Sequence, residues 1–160
     1  MTTDVRTALY DVITRFSRGV DRKDADLVRS CYHPDAYDDH GVFKGGPDEF
    51  AAWLQEVTAP VEFMQHSVSN FHLLDVAENV ATSETYWHLR ILGTDGQLAQ
   101  AFGRYLDRFE QRDGRWLIAH RICTMEFSTP NSGYDPADFE RGTHDRSDPS
   151  YRLSDVGSMS

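Results

Sequence analysis

Two residues in the first half of the chain have side chains suited to acid–base chemistry. Asp21, in the segment GVDRKD, directly follows Val20, the last apolar residue of a helical pattern, and so lies at a helix junction. Its carboxylate either caps the next helix or points into the protein. His66 lies in the segment MQHSVSN, and imidazole accepts a proton near neutral pH because its ordinary pKa is about 6.5. Taken singly, each residue is more often structural than catalytic.

The residues around His66 alternate as they do in a β-strand. Alternation places His66 on one face with Val68, Asn70 and His72. The other face then carries Gln65, Ser67, Ser69 and Phe71. Because polar residues occur on both faces, one face is expected to meet solvent, and the other is a candidate lining for a wet pocket.

Two later strand-like segments carry further polar candidates. Tyr86 and His88 share one face of their segment. In the last segment, His120 lies on the face of the apolar residues before it, and Arg121 alternates with them. Arg121 also has a structural alternative, which is to pair with a carboxylate such as Asp107.

The triplet DDH, residues 38–40, contains residue types that bind metals. Adjacent residues in a loop do not easily converge on one ion, and no second cluster at ligand spacing accompanies them. The sequence therefore predicts a site without a metal, and no nucleotide motif suggests another cofactor.

Apolar spacing predicts three helices in the first 60 residues. The first has a single apolar stripe that ends at Val20, and the second covers DRKDADLVRSCY until Pro34 stops it. The third begins near Pro47 and carries Phe50 and Trp53 on its apolar face. Between the second and third helices, HPDAYDDHGVFKGG is expected to be loop or short strand.

From Pro60 the apolar period changes to two, and four long strand-like segments follow, joined by AEN, GTDGQ and RDG. Short turns favour antiparallel hairpins. The predicted fold is α+β: a cone-shaped barrel in which three N-terminal helices pack on a strongly curved antiparallel sheet and enclose a pocket. The domain spans residues 1–128. Residues 129–160 form a polar tail that is expected to be partly disordered or packed on a neighbouring subunit.

Composition limits the partners. The 160 residues carry a formal charge of −10, which argues against nucleic acid and anionic membranes. No leader or membrane-length apolar run is evident, so the default expectation is a soluble cytoplasmic protein. Cys31 and Cys123 lie in apolar contexts and are expected to be buried thiols. A large sheet with an uncovered outer face predicts a homodimer or homotrimer.

Several segments together resemble a known family. GVDRKD, CYHPDAYDDHGVFKG, QHSVSNFHL and GRYLDRFEQRDGRWLIAHR occur in an order that resembles the SnoaL-like branch of the nuclear transport factor 2-like superfamily. The resemblance covers roughly Val5 to Phe127. It implies a curved antiparallel sheet with three helices around a deep pocket, as the residue pattern also predicts.

Within that superfamily the sequence is similar to scytalone dehydratase, hexachlorocyclohexane dehydrochlorinase and bile-acid dehydratase. The resemblance implies that His66 is the catalytic base, that Asp21 orients it, and that Arg121 is a pocket arginine. The tyrosine of scytalone dehydratase before the aspartate is replaced by Val20, and the pocket lysine of the dehydrochlorinases by Phe16 or a neighbour. Because of these two departures, the resemblance does not identify the particular substrate, although it still implies the pair of Asp21 and His66.

The predicted function is that of a cofactor-independent lyase, a dehydratase or similar β-elimination enzyme, acting on a small hydrophobic, ring-containing molecule. Arg121 and four further residues are candidates to stabilise an enolate or protonate a leaving hydroxide, and two aromatic residues are candidates to line the pocket. These candidates are Tyr32, Tyr37, Tyr86, His88, Phe50 and Trp53. Two alternatives stay open: an isomerase or cyclase that uses the same pair, and a non-catalytic ligand-binding or dioxygenase small-subunit-like module.

Overall fold

The computed structural model describes residues 2–153, with side chains from Val5 onward. Three helices lie in the first 60 residues: α1 (Thr2–Asp21), α2 (Ala25–Arg29) and α3 (Pro47–Thr58). The apolar stripe of α1 is buried at Leu9, Val12, Ile13, Phe16 and Val20, since residues three and four apart share one face. None of these helices is both long and apolar enough to cross a bilayer.

The second helix is shorter than predicted and begins with a different cap. The side chain of Asp24 accepts a hydrogen bond from the backbone N–H of Leu27 at 2.9 Å, which makes Asp24 the N-cap of α2. Asp21 is therefore not the cap of this helix. The chain then enters β1 (Tyr32–Asp39) and β2 (Lys44–Gly45), where a loop or short strand was expected.

Six strands form one sheet in the order β2-β1-β6-β5-β4-β3. The long strands are β3 (Val61–Ala77), β4 (Val80–Gly93), β5 (Leu98–Arg112) and β6 (Arg115–Ser128), and they pair as consecutive antiparallel hairpins. The predicted α+β architecture is confirmed. The sheet is nevertheless mixed and not wholly antiparallel, because β1 pairs with β6 in parallel. It is also an open sheet and not a closed barrel, with β2 and β3 at its edges within the described residues.

A bulge in β3 changes which residues face the helices. Ser69 of β3 pairs with Tyr86 of β4, and the next pair is His72 with Glu84. Between these two pairs β3 advances by three residues and β4 by two. One extra residue therefore lies in β3, and Asn70 has a φ of 50° there. Beyond the bulge Phe71, not His72, packs against the core, so the alternation predicted for this strand holds only as far as Val68.

A second irregularity lies where β5 meets β6. Arg108 pairs with His120, whereas its neighbour Phe109 pairs with Ile118. The skipped residue in β6 lets both Ile118 and Arg121 be fully buried. His120 therefore does not share the face of Ile118, contrary to the simple alternation predicted from the sequence.

The polar tail packs on the chain's own domain as far as residue 153. Phe139 is buried, and Glu140 forms a parallel bridge with Thr124 of β6. Farther along, the buried Asp148 pairs with Arg104 on the outer face of the sheet at 2.7 Å. Residues 154–160 of the predicted tail lie outside the described residues. Contact with a neighbouring subunit stays a prediction.

Candidate active site

The end of α1 brings a carboxylate against the first part of β3. Asp21 is the last residue of α1, and its Oδ1 lies 2.6 Å from Nδ1 of His66. The backbone N–H of His66 also donates to both carboxylate oxygens, at 3.0 and 2.9 Å. The carboxylate of Asp21 thus holds both the ring and the backbone N–H of His66. In the neutral ring this arrangement places the proton on Nδ1 and leaves the Nε2 lone pair free to accept.

His66 lines a cavity between the helices and the sheet that opens to solvent. The side chain of His66 is 6% exposed and that of Asp21 is 16% exposed. Asp21 is not among the lining residues, so the carboxylate lies behind the ring that it orients. The walls are predominantly apolar and come from all layers of the fold; they include Phe16, Phe50, Trp53, Met64, Leu89 and Met125.

A second histidine, His40, lines the same cavity just after the end of β1. Its Nδ1 is hydrogen-bonded to Oδ1 of Asp38, whose other oxygen accepts a hydrogen bond from the hydroxyl of Tyr32. Asp38 is 1% exposed. Burial alone would lower the pKa of His40, but the adjacent Asp38 carboxylate and, after it, Cys123 outweigh this effect and raise that pKa to about 10.

Arg121 lies directly beneath these groups. Its guanidinium forms a bidentate ion pair with Asp107, at 2.6 and 2.8 Å, and both residues are fully buried. The same guanidinium lies over the rings of Phe16 and Tyr105, at 4.2 and 4.0 Å from their centroids. Arg121 does not line the cavity. Its evident role in the structure is to neutralise the buried carboxylate of Asp107 beneath the cavity.

Sequence comparison assigns the domain that contains these residues to a family. The sequence model of the SnoaL-like domain matches residues 1–122. The chain belongs to the SnoaL-like domain family. Comparison with curated proteins gives no match.

Solved structures show how widely the fold of this SnoaL-like domain is shared. A provisionally assigned scytalone dehydratase from Novosphingobium aromaticivorans DSM 12444 has a TM-score of 0.76 at 17% identity, over 83% of this chain and 91% of the other. A hexachlorocyclohexane dehydrochlorinase from Novosphingobium barchaimii LL02 has a TM-score of 0.72 at 21% identity, over 83% and 94%. A nuclear transport factor 2-like protein from Salmonella enterica serovar Typhimurium LT2 has a TM-score of 0.71 at 19% identity, over 84% and 100%. At these identities the likeness establishes the fold.

Of the substrate-binding residues predicted for the SnoaL-like domain, Phe50 and Trp53 line the cavity. Tyr32 does not line it, but its hydroxyl holds Asp38 behind His40. Tyr37 lies on the surface, 43% exposed, with its ring 5.5 Å from that of His120.

Tyr86 and His88 lie on the opposite face of the sheet from the cavity. The residues of β4 that reach the cavity are Trp87, Leu89 and Ile91, and the residues between them point away because side chains alternate along a strand. His88 bonds to Gln100 and stacks on Phe102 at 4.1 Å, whereas Tyr86 is 43% exposed. The two residues do share a face, but it is the outer one.

Among the cavity residues that the sequence analysis did not propose for the site are His40, Tyr105 and Cys123. His40 stands two residues after Asp38, a spacing that puts both side chains on one face of an extended segment. That spacing was a usable signal within the DDH triplet, which was considered only as a metal site. Tyr105 and Cys123 give no such signal, since alternating apolar residues in strands are ordinary core.

Proposed function

We propose that this SnoaL-like domain is a cofactor-independent lyase that catalyses β-elimination on a small, apolar, ring-containing substrate. The observation that carries the proposal is the hydrogen bond between Asp21 and His66 at the wall of an apolar cavity. A carboxylate on one ring nitrogen fixes the ring and stabilises the imidazolium that forms when the other nitrogen takes a proton.

In the proposed step, Nε2 of His66 removes a proton from a carbon next to an activating group. The electron pair of that C–H bond forms a carbon–carbon double bond, and the leaving group departs from the adjacent carbon as halide, or as water after the His66 imidazolium returns the removed proton to it. Asp21 stays ionised and balances the charge of the His66 imidazolium. The structural neighbours named as a dehydratase and a dehydrochlorinase support this type of reaction.

The test replaces His66 by Gln, which keeps a polar side chain of similar size but cannot act as the base. Elimination is assayed on a panel of cyclic β-hydroxy ketones and chlorinated cyclohexanes. We expect the rate to fall by roughly 10²- to 10⁴-fold, the usual contribution of a general base. His72→Gln is the matched control, because His72 lies on the same strand and is exposed.

Two results would contradict the proposal. One is a folded His66→Gln protein that keeps the wild-type rate. The other is a wild-type protein that shows no elimination activity on any substrate class in the panel. Running the reaction in heavy water separates elimination from isomerisation. An isomerase returns solvent deuterium to carbon in its product, whereas an elimination releases the leaving group.

A further inference from the structure

The buried groups beneath the cavity form a cluster whose charges can be counted. It contains two carboxylates, Asp38 and Asp107, and both are essentially excluded from solvent. The guanidinium of Arg121 is bidentate on Asp107, and it donates a further, long hydrogen bond of 3.5 Å to the hydroxyl of Tyr32. Arg121 therefore balances one carboxylate and leaves the charge of Asp38 to another cation.

His40 is the group in position to supply that cation. A buried ionised carboxylate without a partner is very costly, so buried charges in proteins are paired. The hydroxyl of Tyr32 donates to Asp38 but carries no charge. An imidazolium at His40, bonded through Nδ1 to Asp38, makes the cluster electrically neutral with two positive and two negative groups.

Inside the protein, the second ring nitrogen of His40 meets aromatic rings and one thiol. The rings of Phe50, Trp53, Tyr105 and Phe16 lie 4.8 to 6.5 Å from the imidazole and offer no strong acceptor toward it. The side chain of Cys123 hydrogen-bonds the imidazole, but the sulfur of a thiol is only a weak acceptor. An oxygen of a molecule in the cavity would be the better partner.

We infer that His40 is the oxyanion-binding residue of this cavity, and that the substrate carries a carbonyl or phenolic oxygen that becomes negative when His66 removes the neighbouring proton. This inference rests on the proposed function for the role of His66. It narrows the substrate class to molecules with an enolisable carbonyl or a phenol. A cationic donor in an apolar cavity stabilises such an oxygen far more than it would in water.

The probe for this inference is para-nitrophenol, whose ionisation is visible by absorbance, with nitrobenzene as its uncharged counterpart. We expect the wild-type protein to bind the phenolate more tightly than the phenol, so that the bound probe ionises at lower pH than the free probe. In His40→Gln, phenolate affinity should fall by about tenfold or more, as expected for a charge-assisted hydrogen bond, and nitrobenzene affinity should be unchanged.

A second variant guards against misfolding, because His40→Gln leaves Asp38 without its cation. The double variant Asp38→Asn/His40→Gln removes both charges together, and it should show the same loss of phenolate binding. Equal phenolate affinity in the wild type and in the folded variants overturns the inference, as does a wild-type protein that shows no preference for the phenolate.

His66→Gln separates the two proposals. It should lower the elimination rate by the roughly 10²- to 10⁴-fold expected above and leave the phenolate preference intact. If phenolate preference fails while His66→Gln still stops elimination, the oxyanion role is wrong and the lyase stands. If elimination survives in His66→Gln while phenolate is still preferred, the lyase mechanism is wrong and the anion site stands.

Discussion

At the scale of single residues, Asp21 concentrates its interactions on one partner. Its two oxygens accept from the ring and from the backbone N–H of His66. Asn at this position would keep one acceptor oxygen and turn an amide donor toward groups that also donate. The Asp21 carboxylate therefore determines both the orientation of the imidazole and the nitrogen that carries its proton.

For Asp21→Asn we predict a loss of elimination rate of roughly 10²-fold or more, because the imidazolium loses its counter-charge and the ring its preferred tautomer. Asp24→Asn is the control: Asp24 is an exposed helix cap three residues away, and its variant should keep the wild-type rate. An Asp21→Asn protein with the same rate as Asp24→Asn contradicts the orienting role.

A pH prediction concerns His40. Its pKa is raised from 6.5 to about 10 in the folded protein by Asp38 and Cys123, although burial opposes the shift. A raised folded pKa contributes stability that is complete below the unfolded pKa and is lost as pH rises through the folded pKa. Thermal unfolding should therefore show wild-type stability falling between pH 6.5 and about 10, and His40→Gln should lack this component. Parallel pH curves for the two proteins would contradict the paired state of His40.

At the scale of elements, the sequence predicts the helices and hairpins because their signals are local. Periodicity marks the stripe of α1, Pro47 marks the start of α3, and short turns mark the antiparallel strands. The parallel pairing of β1 with β6 joins segments some 80 residues apart. A local sequence pattern carries no information about such a long-range pairing. The bulge at Asn70 likewise depends on the neighbouring strand, so the facing of Phe71 and His72 could not be read from alternation.

The same distinction holds for the site. Asp21 and His66 were paired through their resemblance to a family, and the fold brings them within hydrogen-bonding distance. Tyr86 and His88 were placed together by alternation, which is right about their shared face but does not say which face meets the cavity. Which face of β4 meets the cavity depends on the tertiary packing, which buries Trp87 and Leu89 in the core and the cavity wall.

Besides the packing of Phe139 and the bridge from Glu140 to Thr124, a buried ion pair between Asp148 and Arg104 attaches the tail to the sheet. Burial alone would raise the pKa of Asp148, but its hydrogen bonds to Arg104 outweigh this and lower it below the usual range. A lowered pKa gives stability that is present above the unfolded pKa and is lost as pH falls through the folded pKa. The attachment of residues 140–153 is thus expected to persist at neutral pH and to weaken in acid.

Asp148→Asn should release this attachment at neutral pH, because Arg104 loses the buried partner on its tail side. Limited proteolysis followed by mass spectrometry measures the result as faster cleavage within residues 140–153. Asp145→Asn is the control, since Asp145 is exposed and bonds only within the loop. Equal cleavage rates for the two variants would show that Asp148 does not hold the tail.

At the scale of the whole molecule, the two faces of the sheet have different chemistry. The inner face carries the cavity and the buried cluster of Asp38, Asp107 and Arg121. The outer face carries a stack of His88, Phe102 and Phe127, with Phe127 58% exposed. An exposed aromatic stack of this kind is a candidate contact between subunits, and the homodimer or homotrimer stays a prediction.

The account as a whole depends on the end of α1 meeting β3 so that His66 presents a lone pair to the cavity. Nitrogen-15 NMR of the histidine rings, followed to the pH at which the His66 ring is neutral, tests this directly. We predict that the neutral ring carries its proton on Nδ1, bonded to Asp21, and that Nε2 is unprotonated and responds to a cavity ligand. A neutral His66 with its proton on Nε2 would leave no base facing the cavity and would contradict the proposed mechanism.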